Sequence, residues 1–378
     1  MEGRLRKAAE AWFAAIQEPE EAQERVLKRL TALYARTGYG REHGIQAGMS
    51  MEEFRRFVPP RRYEGFKPYV QEVLKGDPRA LLADELVFLG ITSGTMGRPK
   101  VVPMTKADVA LRAEVMATCL AGLASYWRLE GIFGSPCIAP CLPSRVSEVQ
   151  VGGRAVPCGY ISGVNAEITA SYFGLEGFLR PYLERINEIG PGIGKEDWGK
   201  RFSALMEALE GRDAKMAIGA APALWMFARW LRKERGRWPK DLWDIELLLV
   251  AGVPYIMSSY APGLSKAYGE GALLAEAYGA TEGMFAARLA EEPYLVPFYN
   301  AYLYEVRVGR EVKMLYEMEA GEIGSIIIST PVFPRYEVGD LVLCHADGVF
   351  FSVPGRNRPL TRAKIKLGKL LDLLASPF

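Results

Sequence analysis

The sequence predicts an α/β fold in which mixed sheets flanked by helices lead into a β-rich subdomain near the C-terminus. Three observations carry this reading. The apolar run 86–89 reads as a buried strand that delivers a glycine-rich loop and then a helix. The almost wholly apolar run 245–250 reads as a second buried strand, with a helix over 258–268 behind it. From residue 301 onward the pattern becomes alternating, as in Leu303-Tyr304-Glu305-Val306-Arg307-Val308, which marks antiparallel strands with one wet face.

Each element has its own signal. Leu5, Ala9, Trp12, Phe13 and Ile16 share one helical face, so residues 4–36 form one or two amphipathic helices. Thr37-Gly38-Tyr39-Gly40 interrupts that pattern. Ser50 caps a short helix over 51–57, with Glu53 at the capping-box position, and Pro59-Pro60 ends it. A helix over 66–74 stops at Gly76-Asp77-Pro78. After the strand and the glycine loop, Thr105 caps a helix over 106–123. Residues 131–175, rich in Gly, Pro, Ser and Val, predict short strands and turns. Helices are expected over 175–188, 196–209 and 223–233, and a short strand over 273–276. The tail holds strands over 303–308, 313–316, 325–329 and 349–351.

Composition narrows the function. At 378 residues, one large domain with subdomains or two domains is expected. A net charge of +2 gives no argument for nucleic acid or an anionic membrane. No run reaches about 18 apolar residues, so no transmembrane helix is expected, and the charged start Met1-Glu2-Gly3-Arg4 does not read as a signal peptide. Five cysteines, an odd number without an export signal, argue for reduced thiols and a cytoplasmic location. Cys137 and Cys141 would need two more ligands to hold zinc and read as buried apolar thiols. His43 and His345 are the only histidines, so a Ser-His-Asp triad is hard to build. Catalysis must rest on carboxylates, hydroxyls, lysine, arginine and a bound ion.

Four segments carry chemistry. In Ile91-Thr92-Ser93-Gly94-Thr95-Met96-Gly97-Arg98-Pro99-Lys100 the glycines let backbone N–H groups approach an anion. Thr92, Ser93 and Thr95 add hydroxyls, and Lys100 adds a point charge. The spacing is not G-x-x-x-x-G-K-[ST]. Glu276-Ala277-Tyr278-Gly279-Ala280-Thr281-Glu282-Gly283 delivers a ring, a hydroxyl and a carboxylate within five positions: Tyr278 suits a base, Thr281 a phosphate oxygen and Glu282 a magnesium ion, or the segment is a turn with a core tyrosine. In Arg335-Tyr336-Glu337-Val338-Gly339-Asp340, Asp340 follows a glycine between two strands and fits either two ribose hydroxyls or a plain turn. Arg356, in Gly355-Arg356-Asn357-Arg358, fits a phosphate or ribose, or a solvated basic turn. Gly190-Pro191-Gly192-Ile193-Gly194-Lys195 is excluded as a phosphate loop. Ile189 stands where a Walker glycine belongs, Glu196 replaces the Ser/Thr, and a helix precedes it.

Three of these segments, in this order, resemble the adenylate-forming superfamily. Thr37-Gly38-Tyr39-Gly40-Arg41-Glu42-His43-Gly44-Ile45, Val58-Pro59-Pro60, Tyr63-Glu64-Gly65-Phe66-Lys67-Pro68-Tyr69-Val70 and Gly321-Glu322-Ile323-Gly324 resemble its auxin-responsive-promoter family of acyl acid amido synthetases. The resemblance covers about residues 25–360. It implies the large N-terminal domain of an adenylate-forming enzyme, over 1–355 with the β-rich subdomain at about 300–355, then a hinge and a short helical stub over 356–378. It implies a two-step ligase: a carboxylic acid attacks the α-phosphorus of ATP, and an amine, such as that of an amino acid, then attacks the acyl carbon. Thr92, Ser93, Gly94, Thr95, Gly97 and Lys100 then belong to the phosphate loop. Tyr278 faces the adenine, Thr281 the α-phosphate, Glu282 the Mg²⁺ and Asp340 the ribose, with Gly279 also among the nucleotide-binding positions and Arg356 near the hinge. Lys100, Thr281 and Glu282 are the catalytic set. The helix after Pro222, with Leu224, Trp225, Phe227 and Ala228, matches one that lines the acyl pocket or packs as ordinary core. The family continues into a C-terminal domain that supplies a lysine, and Lys364, Lys366 and Lys369 do not match it. That leaves room for a partner that supplies the domain. An acyl-CoA ligase and a non-catalytic nucleotide- or acyl-adenylate-binding protein are the alternatives.

Overall fold

The computed structural model describes residues 2–92, 100–129, 131–289, 294–346, 348–363 and 365. The N-terminal periodicity gives two helices, α1 (Glu2–Gln17) and α2 (Pro19–Tyr34). Pro19 restarts the second at a position where its missing N–H is not needed. Both are stitched to the far end of the chain. Trp12 Nε1 donates to the Pro297 carbonyl at 2.9 Å, and the Gln23 amide donates to Tyr299 and Tyr302 and accepts from the Tyr304 N–H. Thr37 caps α3 (Gly38–Glu42), and the Ser50/Glu53 capping box opens α4 (Met51–Phe57). Helix α5 (Tyr63–Lys75) ends at Gly76, whose φ of 109° is one that glycine adopts without strain.

Strands β1 (Leu86–Ile91) and β2 (Val101–Thr105) form an antiparallel hairpin, and Thr105 Oγ1 accepts from Asp108 N to start α6 (Lys106–Trp127). There follow β3 (Cys137–Ile138), β4 (Ser147–Val151), β5 (Arg154–Tyr160), α7 (Ile161–Phe173), α8 (Glu176–Ile189) and α9 (Lys195–Ala208). Two strand–helix–strand units come next: β6 (Met216–Ala220), α10 (Ala221–Arg235), β7 (Leu247–Ala251), then α11 (Ile256–Ser259), α12 (Ala261–Tyr268) and β8 (Leu273–Ala280). The remainder is strand-rich: β9 (Gly283–Arg288), β10 (Leu295–Pro297), β11 (Leu303–Val308), β12 (Glu311–Met314), β13 (Ile323–Ser329), β14 (Tyr336–Ala346) and β15 (Phe350–Arg356).

Two sheets result. The smaller has the order β2-β1-β5-β4. The larger runs β12-β11-β13-β14-β15-β10-β9-β8-β7-β6-β3, parallel from β3 to β8 and antiparallel beyond. Strand β8 is the seam: its first half pairs in parallel with β7, and its second half pairs antiparallel with β9. One apolar cluster spans α1, α2, α6 and the antiparallel strands. A second fills the space between the parallel strands and helices α8, α9, α10 and α12.

Three expectations are corrected. The glycine loop connects two strands of a hairpin, and the helix begins only after β2. Residues 161–173 form a helix where turns were expected, because Gly163 and four β-branched residues lower helix propensity there. Packing overrides propensity: a Cβ at Gly163 would fall 2.2 Å from the Leu142 carbonyl oxygen, so only glycine lets this helix approach. Asp340 lies inside β14, paired across to Arg356, since the chain continues as strand through Gly339 at φ 92°. Ser93, Gly94, Thr95, Met96, Gly97 and Arg98 lie outside the described residues, as do Lys364, Lys366 and Lys369.

Candidate active site

A cavity of about 1280 Å³ opens where the C-terminal ends of β6, β7 and β8 face the ends of β1 and β5. Gly219 and Ala220, Ala251, Gly279 and Ala280, Ile91 and Tyr160 bring those ends to its wall. The carboxyl ends of parallel strands are where open α/β sheets hold ligands, because the chain must turn there and leaves a crevice.

The hairpin neck sets the first side of the site. Thr92 Oγ1 accepts from Lys100 N at 3.1 Å, and Thr92 N donates back to the Lys100 carbonyl at 3.2 Å. Next to it, the Tyr63 hydroxyl donates to the Val101 carbonyl at 2.8 Å and accepts from Val101 N at 3.1 Å, pinning α5 against β2. The Lys100 ammonium lies 5.2 Å from the Tyr63 ring centroid and donates to the Tyr336 hydroxyl at 3.3 Å.

The turn after β8 sets the second side. Thr281 and Glu282 form it, and both line the cavity. Arg112 supports the turn from below: one guanidinium N–H donates to the Thr281 carbonyl at 2.9 Å, and Nε pairs with Asp108 at 2.7 Å. This buried pair is a fixed strut, since a bidentate-capable guanidinium must keep its partners once it is out of water. Burial pushes the Asp108 carboxyl upward, with the Arg112 charge opposing. Glu282 is 5% exposed and bonds the Tyr336 hydroxyl. Burial and that carboxylate hold the Tyr336 phenol well above its ordinary range, so it stays a neutral donor.

The third group lies just behind the wall. The Tyr278 hydroxyl donates to Asp340 Oδ2 at 3.0 Å, and Arg356 Nε pairs with Oδ1 at 3.3 Å. Arg356 also donates to the Val338 carbonyl at 2.7 Å and reaches the cavity itself. A carboxylate has about four lone-pair directions, of which Tyr278 and Arg356 take two on Asp340. Burial raises the Asp340 carboxyl and Arg356 opposes the rise. The Tyr278 ring is 8% exposed and packs edge-on against Phe351 and tilted on Phe285. Gly279 turns tightly: a Cβ there would sit 2.6 Å from the Gly283 carbonyl oxygen.

The structure thus brings Thr92, Lys100, Thr281, Glu282 and Arg356 to one cavity, with Tyr278 and Asp340 one layer behind. Of the helix after Pro222, Pro222, Ala223 and Met226 line that cavity, while Leu224, Phe227 and Ala228 are core. Sequence reasoning missed Tyr336, Tyr63 and Arg112. Tyr336 lay within a segment already singled out, so its position in Arg335-Tyr336-Glu337 was a usable signal. For Arg112 only a buried charge at helical spacing from Asp108 pointed inward.

Glu276, at the head of the same strand, gives a pH prediction. Burial pushes its carboxyl up to about 7, with the Arg288 charge opposing. A folded-state value above the unfolded one means that its contribution is complete below about pH 4.5 and is lost as pH rises toward about 7. Glu276→Gln is expected to remove that loss and to be more stable than the parent at pH 8, by about 2–3 kcal/mol. Urea unfolding at pH 5 and pH 8 checks this; an unchanged difference between the two pH values contradicts it.

Comparisons with known proteins bear on the family and the fold. Residues 11–135 match the GH3 family N-terminal domain. The indole-3-acetic acid-amido synthetase GH3.15 of Arabidopsis thaliana is 30% identical over 95 residues, a match spanning 25% of this chain and 16% of that protein's length. Among solved structures, the acyl acid amido synthetase AtGH3.15 in complex with 2,4-DB superposes with a TM-score of 0.71 at 16% identity, over 93% of this chain and 71% of that one. A 2-hydroxyisobutyryl-CoA ligase in complex with 2-HIB-AMP and CoA superposes at 0.62 with 18% identity, over 91% and 69%. Residues 11–135 are thus similar to the GH3 family N-terminal domain, and the chain shares its fold with an acyl acid amido synthetase and a CoA ligase.

Proposed function

We propose that this chain activates a carboxylic acid with ATP and passes the acyl group to an amine, as an acid–amino acid ligase. The observation that supports it is one cavity with two characters. Lys100, Glu282, Arg356 and Arg358, with Glu64 and Lys67 of α5, supply its charges, and the stretch of wall between Met116 and Gly252 is neutral and mostly apolar. A polyphosphate suits the first and an acyl tail the second. The carboxylate oxygen attacks the α-phosphorus and pyrophosphate leaves. The amine nitrogen then attacks the acyl carbon, AMP leaves, and the amine proton passes to solvent.

The residues have work suited to such a step. Adenylyl transfer needs charge neutralisation and alignment more than a proton base. Lys100 neutralises the leaving pyrophosphate, and the Thr281 hydroxyl aligns the α-phosphate on a turn that Arg112 holds still. Asp340 and Arg356 hold the ribose, next to Tyr278 and Gly279 on the adenine side. Glu282 fits a magnesium ion: it is a hard oxygen donor on the cavity wall, and magnesium takes one or two carboxylates and completes its shell with phosphates and water. Bound magnesium would supply further neutralisation of the polyphosphate. We place the reaction in the cytoplasm, where buried thiols such as Cys119, Cys137, Cys141 and Cys158 stay reduced. A C-terminal domain acting in trans is a partner this reading admits.

Mg·ATP and AMP are each expected to raise the melting temperature. A ligand that binds only the native state stabilises it by about 2.7 kcal/mol at one hundred times Kd. Folded protein with no shift at millimolar nucleotide contradicts the reading. Product analysis with glycine or glutamate against coenzyme A separates amide from thioester formation, and the amide is the product expected.

A further inference from the structure

The neutral part of the cavity carries information about the acid itself. Among the described residues lining it between Met116 and Gly252, none is Asp, Glu, Lys, Arg or His. Helix α7 runs along this wall as a ruler. Its first residue, Ile161, packs with Thr281 around Gly90, where an added Cβ would lie 3.6 Å from each side chain. The helix therefore starts beside the turn where the acyl carbon must sit. Ile161, Asn165, Thr169 and Phe173 then face the cavity at every fourth position. At 1.5 Å per residue they lie about 0, 6, 12 and 18 Å along the axis from the start. Phe173 stacks with Phe133 at 6.4 Å between centroids, and both rings line the cavity.

Asn165 and Thr169 stand out on that ruler. Both are half-buried, and among the described residues neither side chain has a hydrogen-bond partner. The neighbouring Ser162 differs, since its hydroxyl accepts from Leu142 N at 3.1 Å. An amide and a hydroxyl one helical turn apart, free and facing an apolar chamber, form the kind of sparse polar pair that fixes a ligand's orientation.

Resting on the adenylation reading above, we infer that the acid carries an uncharged, mostly apolar tail with one hydrogen-bonding group. That group is a keto, hydroxyl, ether or ring N–H, placed about 6–12 Å from the carboxyl carbon and read by Asn165 and Thr169. A hydrocarbon at that depth leaves the pair unsatisfied. A second carboxylate or an ammonium there loses its water among the uncharged residues that line the wall between Met116 and Gly252.

The test uses the whole chain and three acids of one length: decanoate, 8-oxodecanoate and decanedioate. Each is titrated calorimetrically with AMP present and with AMP absent. The keto acid is expected to bind about three- to tenfold tighter than decanoate, a single hydrogen bond's worth. Decanedioate is expected to bind at least about a hundredfold weaker than either. Asn165→Leu and, separately, Thr169→Val remove the keto preference while AMP affinity is unchanged; Thr169→Val keeps the shape of the side chain should the other variant not fold. Equal binding of decanoate and the keto acid overturns the inference, as does a dicarboxylate that binds as well as they do, or a preference that survives both substitutions. AMP that fails to bind folded protein overturns the adenylation reading instead, while the acids titrated without it still decide what the tail must be.

Discussion

Glu282→Gln is expected to lower acid-dependent exchange of labelled pyrophosphate into ATP by about two to three orders of magnitude, with the fold intact. The size follows from losing one preorganised electrostatic element at a transferring phosphoryl group. The substitution keeps the shape of the side chain and removes the charge that would hold the metal. It leaves the Arg112 bond to the Thr281 carbonyl in place, because that bond uses main chain. AMP binding, which needs no metal bridge between phosphates, should change little. Exchange that survives Glu282→Gln at the parental rate contradicts the role assigned to this carboxylate.

The second large effect separates two roles. Asp340→Ala is expected to weaken AMP and ATP alike by about ten- to a hundredfold, and Lys100→Ala to weaken ATP with little change in AMP. A hydrogen bond to a charged group contributes roughly 1.5–3 kcal/mol. Asp340 would meet the ribose common to both nucleotides. It also holds Arg356 by its other oxygen, so its removal frees a cation at the cavity wall. Lys100 lies at the hairpin neck, where among the described residues its ammonium meets the Tyr336 hydroxyl and the Tyr63 ring, neither of them an anion, and so remains available to the pyrophosphate end. Calorimetric titrations showing equal losses for both nucleotides in both variants contradict the assignment.

What the sequence made legible was mostly local. The Ser50/Glu53 capping box and the Thr105 cap are signals spanning three residues, and both form as read. The turn carrying Thr281 and Glu282 was legible because its residue types crowd into five positions. The strand β14 was not read through Gly339, since a glycine followed by an aspartate ordinarily marks a turn; its pairing with Arg356 is a tertiary fact. Helix α7 was hidden by its own poor propensity and is held by the close approach at Gly163. Tyr336 and Arg112 were missed because their work is done across 236 and 169 residues of chain, on Lys100 and on the Thr281 carbonyl. No window of residues contains such a contact.

The most direct test of the central claim follows an oxygen atom. A carboxylic acid labelled with oxygen-18 in its carboxylate is incubated with the chain, ATP, magnesium and an amino acid, and the AMP formed is analysed by mass spectrometry. If the carboxylate attacks the α-phosphorus, one labelled oxygen crosses into AMP for every amide made. ADP with labelled inorganic phosphate, or AMP that carries no label, would show that the acid is not activated as an acyl-adenylate and would contradict the account.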